Sequence, residues 1–212
     1  MAKLSVSGAE IDLDRSDIVL RDDFSTDTLA AGAWLRVGDA TWEIRNGALE
    51  GKWDCAGQEK HGQLFTQETF TGDLLLEFDA ATVPPSDHDI IWWWKTVLNA
   101  NHTQWENGYL GGLAGWYTGK AGIEKAPDFK LVALTALADF TPGRFYRIQS
   151  GSIGAQHFLF VDGKLVLELF DPQPPDPTTP ARIGFGVYQS HIQIRNVTVY
   201  RIHVEKIVDV YE

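Results

Sequence analysis

Short segments in which apolar and polar residues alternate recur along almost the whole chain, and no helical period of useful length interrupts them. In residues 73–81, every second residue from Leu74 to Ala80 is apolar, whereas Glu77 and Asp79 have the opposite parity. Since successive side chains of a strand point to opposite faces, this pattern predicts a strand with one buried face. About a dozen such segments predict an all-β chain.

Turn signals separate these segments. Asn46-Gly47 and Asp162-Gly163 each lie between two alternating runs, and both residues of such a two-residue hairpin turn take positive φ. Consecutive antiparallel strands with few helices favour a two-sheet antiparallel β-sandwich over an α/β fold. No internal linker is visible, so we expect one domain over residues 1–212, with its core at about 18–204 and short polar tails.

Charge and cysteine content narrow the function classes. The formal net charge of −11 at pH 7 argues against nucleic acid and anionic membranes, because both bind clustered Lys and Arg. No apolar run reaches the roughly 20 residues of a membrane span, and the N-terminus lacks the apolar stretch of a secretory signal. Cys55 is the only cysteine, which fits a reducing compartment. We therefore expect a cytoplasmic protein with neither nucleic-acid nor membrane partners.

Three stretches carry a family resemblance. They are Phe24…Trp34…Trp42 through Gly51, then His61 to Asp79, and then Phe145 to Asp171 followed by Ala181 to Phe185. In this order they resemble the YesU-like family of bacterial concanavalin-A-like proteins, over roughly residues 20–202. The resemblance implies a lectin and glucanase jelly roll, and an association with plant cell-wall polysaccharides. It implies no particular chemistry, because a fold does not determine a function.

The catalytic signatures of enzymes with this fold are missing. Glu77-Phe78-Asp79 is nearest to the glucanase pattern E-x-D-x-x-E, but it lacks the second glutamate. Gln156-His157 lacks the partner strand of the alginate-lyase pattern. Hydrolysis by two closely spaced carboxylates is therefore not predicted from motifs.

Aromatic residues form the strongest candidate site. The chain has eight Trp, and three of them are consecutive at Trp92-Trp93-Trp94. In a strand, Trp92 and Trp94 share one face and Trp93 takes the other. Flat indole faces suit the C–H faces of pyranose rings, so we predict Trp92 and Trp94 as substrate-binding platforms on a concave sheet. The alternative is that all three indoles pack under loops.

Residues 105–120 are the second candidate. The small residues Gly111, Gly112, Ala114 and Gly115 would leave room above the sheet for a ligand. Trp116 and Tyr117 would flank that space, and in the resembled family an aromatic and polar strand occupies this position on the concave face. The alternative is a bulged central strand.

The remaining candidates are titratable or polar residues. His61 has a counterpart in the resembled family and an ordinary pKa near neutrality, which suits an acid or base. A Gln likewise stands in that family at the place of Gln189. The predicted catalytic residues are His61, Tyr117, Glu124 and Lys125. The predicted substrate-binding residues are Trp92, Trp94, Trp116, Lys120, Tyr188 and Gln189.

No cofactor is predicted, and no pair of histidines has the spacing of a zinc site. Asp12 with Asp14, or Asp87 with Asp89, are weak candidates for a structural calcium ion, since neither pair forms a full loop motif.

These features predict a carbohydrate-active protein that holds a sugar or oligosaccharide on an aromatic-lined sheet. As an enzyme it would cleave a glycosidic bond by hydrolysis or elimination. The alternatives are a lectin-like binding module without catalysis and an oligomerisation domain, such as a homodimer, whose exposed aromatics form a subunit interface.

Overall fold

The computed structural model describes residues 3–53, 62–116, 119–136 and 140–207, which form strands and turns without any helix. In chain order, the strands of these residues are β1 (Lys3–Val6), β2 (Ala9–Asp22), β3 (Trp34–Gly38), β4 (Thr41–Arg45), β5 (Ala48–Lys52), β6 (Gly62–Thr66), β7 (Leu74–Thr82), β8 (Ile90–Leu98), β9 (Trp105–Leu113), β10 (Lys120–Ala126), β11 (Lys130–Ala136), β12 (Tyr146–Ile153), β13 (Gln156–Val161), β14 (Lys164–Phe170), β15 (Arg182–Val187) and β16 (His191–Lys206). Within those ranges, no helix exists that has the length and apolar character needed for a membrane crossing.

The strands form two sheets, and all their pairings are antiparallel. The nine-stranded sheet has the order β1-β2-β16-β7-β12-β13-β14, with β5 beside the first half of β16 and β4 beside β5. The seven-stranded sheet has the order β11-β10-β9-β8-β15-β6-β3. This architecture confirms the predicted all-β, two-sheet antiparallel sandwich.

The main core lies between the two sheets. On β7 the side chains of Leu74, Leu76, Phe78 and Ala80 all enter this core, as their alternation predicts. Leu75 points to the opposite face of the nine-stranded sheet, into a separate cluster. Each buried Leu or Phe side chain stabilises the fold by roughly 1.5–3 kcal/mol relative to an exposed one.

The N-terminal hairpin belongs to the sandwich. β1 pairs with β2, and the start of β2 pairs with the end of β16, from Ala9 opposite Lys206 to Asp12 opposite His203. Leu4, Val6 and Ile11 pack with Leu75 on the outer face of the nine-stranded sheet. The predicted start of the core at residue 18 is therefore wrong, because residues 3–17 are paired and bury apolar side chains.

The two predicted hairpin turns are confirmed. Asn46 and Gly47 have φ of 53° and 69°, and Asp162 and Gly163 have φ of 51° and 76°. A β-carbon at Gly47 or at Gly163 would have no atom within 4 Å, so backbone conformation alone determines the glycine there.

We predict that Gly47→Ala lowers the free energy of unfolding by about 1 kcal/mol, because an L-residue with a β-carbon is strained at positive φ. The measurement is chemical denaturation monitored by tryptophan fluorescence. The matched control is Asn46→Gly, which keeps positive φ accessible and should change stability by less than about 0.5 kcal/mol. Equal stability of wild type and Gly47→Ala would contradict the turn assignment.

Candidate functional site

A cleft of about 540 Å³ opens on the outer face of the seven-stranded sheet. Its lining combines aromatic, aliphatic, amide and acidic side chains. The lining residues are Gln63, Asp89, Ile91, Trp93, Gln104, Trp105, Leu110, Trp116, Glu124, Phe129, Val187 and Tyr188. A volume of this size suits a small-molecule ligand.

Strand register brings the central lining residues together. Glu124 on β10 lies opposite Leu110 on β9, and Leu110 lies opposite Trp93 on β8. Since directly opposite residues of antiparallel strands share a face, these three side chains form a row across the outer face of the sheet.

Trp93 forms the floor of the cleft and is 2% exposed. Its ring lies over Gly186 of the neighbouring strand, where a β-carbon would come within 2.4 Å of the indole. Trp93 also packs tilted against Phe65 and edge-on against Trp105, with ring centroids 5.4 Å and 6.0 Å away. The indole is therefore held rigidly in place by a glycine below it and aromatic rings beside it.

Trp116 forms one wall. Its indole lies over Gly112 on β9 and Gly122 on β10, since a β-carbon at either position would come within 2.9 Å of the ring. The indole Nε1 donates a hydrogen bond of 3.3 Å to Oε2 of Glu124. The small residues thus make room above the sheet, as predicted, but the space at Gly112 is occupied by the protein's own indole rather than left open for a ligand.

Tyr188 contributes to the cleft beyond the end of β15. Its ring stacks on Trp53, with centroids 5.9 Å apart and an angle of 15° between the ring planes. Both side chains are half-buried, so part of this aromatic pair faces solvent. The cleft therefore has aromatic surfaces at Tyr188 as well as at Trp116.

Two of the described carboxyl groups, those of Asp89 and Glu124, face the cleft, and the pKa of each is raised. Burial raises the pKa of Asp89 to about 6, although the charge of His88 acts to lower it. Burial also raises the pKa of Glu124, although the hydrogen bond from Trp116 acts to lower it. Asp89 has φ of 62°, a conformation that Asp and Asn tolerate better than most residues. Perturbed carboxyls in a cleft are a mark of functional sites.

The structure places Trp92 and Trp94 in the core between the sheets, 0% and 2% exposed. Trp94 stacks on Tyr109 and donates from Nε1 to Nδ1 of His157 at 3.3 Å. Trp93 points to the opposite face from Trp92 and Trp94, as predicted. The prediction that Trp92 and Trp94 bind a sugar is wrong, because their indoles are buried between the two sheets. For the same reason, Trp92 and Trp94 cannot contribute to a subunit interface.

Lys125 lies on the core side of β10, opposite Tyr109. Its Nζ is 2.7 Å from Oδ2 of Asp171 and donates at 2.7 Å to the carbonyl of Gln173. The prediction that Lys125 acts with Glu124 in one catalytic site is wrong, because the two side chains project from opposite faces of the sheet.

The other predicted residues divide into three groups. Lys120 and exposed Gln189 lie outside the cleft lining. Trp116, Glu124 and Tyr188 all line the cleft. His61 and Tyr117 lie outside the described residues.

Sequence reasoning overlooked Asp89 and Trp93 as cleft residues. Asp89 and Trp93 each stand two residues from Ile91, so all three side chains point to the same face. The alternation along β8 would therefore have identified them as cleft residues once the buried face of that strand was known. Gln63 and Trp105 carried no such signal. They reach the cleft through the pairing of distant strands.

The two candidate calcium pairs have other contacts. Oδ1 of Asp12 accepts hydrogen bonds from the backbone amides of Asp14 and Arg15, and Asp87 pairs with His88 at 2.9 Å. In the part of the chain that the structure describes, no three His, Cys, Asp or Glu side chains are grouped so as to hold a metal ion.

No protein-family model and no curated protein matches the chain. Solved structures do match it. A protein of unknown function with a galectin-like fold from Bacillus subtilis is 13% identical, with a TM-score of 0.73 over 87% of this chain and 96% of that one. The carbohydrate-binding module CBM66 from Bacillus subtilis is 15% identical, with a TM-score of 0.64 over 79% of this chain and 95% of that one.

The β-glucanase of Bacillus licheniformis is 12% identical, with a TM-score of 0.63 over 85% of this chain and 96% of that one. These similarities show that the chain has the galectin-like, concanavalin-A-like jelly-roll fold. At such low identities they show the fold alone.

We predict that Asp89→Asn stabilises the protein in a pH-dependent way. The pKa of Asp89 is higher in the folded chain than its usual value of 3.8, so the folded state binds more protons between about pH 4 and pH 6. The free energy of unfolding of the wild type should therefore fall through this range relative to the variant. We expect similar stability at about pH 4 and an advantage of about 2 kcal/mol for Asp89→Asn at about pH 7.5.

Chemical denaturation at the two pH values measures this difference. Asn tolerates the positive φ of this position, so the substitution adds no backbone strain. The control is Glu106→Gln, at an exposed position on β9. Its stability relative to wild type should stay constant within about 0.5 kcal/mol. If the stability difference between Asp89→Asn and the wild type were the same at both pH values, burial would not be destabilising the charged carboxyl of Asp89.

Proposed function

We propose that this protein binds a sugar or oligosaccharide in the cleft of the seven-stranded sheet. The observation that carries the proposal is an open, 540 Å³ cleft lined by aromatic rings and polar side chains. Half-buried Trp116 and Tyr188 offer aromatic surface for the C–H faces of a sugar ring, and the buried indole of Trp93 supports them from below.

Polar groups with unused hydrogen-bonding capacity support the same proposal. Nε1 of Trp93 and Oε1 of Gln63 are buried and have no hydrogen-bond partner among the described residues. Both residues line the cleft. A buried donor or acceptor without a partner costs about 1–3 kcal/mol, so a sugar hydroxyl that reached either atom after a side-chain shift would gain affinity and orientation.

The fold is compatible with this proposal, since carbohydrate-binding and glucanase proteins are among the structural neighbours.

We also propose membership of the YesU-like family, on the three ordered stretches alone. Trp34, Trp42 and Gly51 of the first stretch are core positions, because Trp34 and Trp42 are buried and a β-carbon at Gly51 would meet the Trp42 ring.

Hydrolysis of a glycosidic bond is the second candidate function, favoured by two carboxyls with raised pKa in one cleft. A carboxyl with a raised pKa keeps its proton to a higher pH and can serve as the general acid, and a second carboxylate can serve as base or nucleophile. Elimination at a uronic acid is less well supported. No Lys, Arg or His lines the described part of the cleft to neutralise the uronate.

We predict that Trp116→Ala lowers affinity for the bound oligosaccharide at least about tenfold, because the variant loses a stacking surface. Tyr188→Ala should weaken binding in the same direction. A screen of cell-wall oligosaccharides identifies the ligand, and titration calorimetry gives the dissociation constants. The control is Phe170→Ala, which removes a 71% exposed aromatic from the other sheet and should leave affinity unchanged. Unchanged affinity in both cleft variants would reject the site.

For the hydrolytic function, we predict that Glu124→Gln reduces turnover of neutral oligosaccharides at least about 100-fold while affinity for them changes by less than about threefold. The isosteric amide keeps the shape and removes the titrating proton. Chromatographic product analysis of the same oligosaccharides provides the readout. Absence of product from wild type would leave binding as the function, and full activity of Glu124→Gln would remove this residue from catalysis.

A further inference from the structure

The carboxylates of this protein differ in how their charge is compensated. Among the described residues, five carboxylates are buried outside the cleft, and each has at least two polar partners; for Glu50 the second partner is His191, at 3.5 Å. Asp22 accepts hydrogen bonds from Trp34 and Thr28, and Asp12 accepts them from two backbone amides. Glu50 accepts a hydrogen bond from Gln193, and Glu77 accepts from Arg147 and Gln149. Asp171 accepts from Tyr109 and from the Lys125 ammonium. Buried charge is normally paired in this way.

The two cleft carboxyls are the exception. Glu124 accepts one hydrogen bond, from the neutral indole of Trp116. No donor among the described residues reaches the Asp89 carboxylate, whose Oδ1 lies instead beside the bare α-carbon of Gly115. Both carboxyls are partly shielded from water. When these two carboxyls are ionised, their negative charge is therefore not compensated by a cation among the described residues.

Of the cationic side chains that the structure describes next to the cleft, none is directed into it. Lys120 shares the outer face of β10 with Glu124 but lies outside the cleft lining, and Lys125 projects to the other face. Next to Asp89, His88 is directed at Asp87, at 2.9 Å. The net charge of −11 adds a long-range field that attracts cations and repels anions.

We propose that the natural ligand carries a protonated amino group, and that the substrate class is glycans with free amino sugars, such as glucosamine oligomers. This inference rests on the proposed sugar-binding function. An ammonium has three N–H donors and no acceptor, which suits a cleft with carboxyl acceptors at Asp89 and Glu124.

The aromatic lining suits the same ligand. A cation beside Trp116 is attracted to the indole face as well as to the adjacent Glu124 carboxylate. A bare divalent metal ion prefers a compact cage of six or more oxygen ligands, whereas this cleft is wide and largely aromatic. The geometry thus points to an organic cation with apolar ring faces rather than to a metal ion.

The experiment compares two ligands that differ in charge. A glucosamine tetramer and its fully N-acetylated counterpart are titrated into the wild-type protein by calorimetry, at low and high salt of about 0.05 and 0.5 M. We expect the free-amine tetramer to bind at least about tenfold more tightly at low salt, and this preference to shrink at least about threefold at high salt. Equal affinity for the two tetramers would overturn the inference.

Isosteric variants test whether Glu124 and Asp89 produce the preference for the free-amine tetramer. Glu124→Gln and Asp89→Asn should each reduce the ratio of the two affinities at least about threefold, while exposed Glu106→Gln should leave it unchanged. An undiminished ratio in both cleft variants overturns the inference. Wild-type salt dependence requires no variant, so a folding defect cannot hide the result.

The two proposals fail in distinguishable ways. Binding of neutral oligosaccharides without a preference for the amine overturns only the amino-sugar inference. Failure of every glycan in the panel to bind, whatever its charge, overturns the sugar-binding function and the inference together.

Discussion

The structure depends on one recurrent packing interaction, in which an indole ring occupies the space that a glycine leaves on a neighbouring strand. In the core, Trp92 lies against Gly111, where a β-carbon would come within 2.4 Å of the ring. On the outer face, Trp93 lies over Gly186 in the same way. Because cores are close-packed, a β-carbon at either glycine would force the indole or the strand to shift.

The same interaction separates structural from functional tryptophans. Trp94 is enclosed between the sheets with Tyr109 and His157. Burial lowers the pKa of His157 to about 3, and the positive charge of Lys95 acts in the same direction. Trp116, by contrast, covers two glycines from outside and keeps part of its surface open beside Glu124. Trp94 thus serves packing in the core, whereas Trp116 borders a cleft with acidic groups whose charge a ligand can compensate.

Much of this was predictable from local patterns. Alternation along β7 identified its core face, and the sequences Asn46-Gly47 and Asp162-Gly163 identified two turns with positive φ. Composition around Trp116 indicated small residues that make room above the sheet, but not that the indole of Trp116 itself would occupy the space at Gly112. These features depend on residues close in sequence, where strand periodicity and turn chemistry act directly. The choice between the two faces of β8 was not predictable, because both faces carry indoles and both are buried.

By itself, the sequence determined the all-β class, the antiparallel sandwich and the opposite orientation of Trp93 relative to Trp92 and Trp94, since side-chain direction in a strand depends only on parity. Tertiary structure alone decided which face became the cleft, that Asp89 and Glu124 both line it, and that Lys125 is excluded from it. Those outcomes depend on the pairing of strands far apart in the chain. Register across a sheet, rather than any local motif, brings such residues into contact.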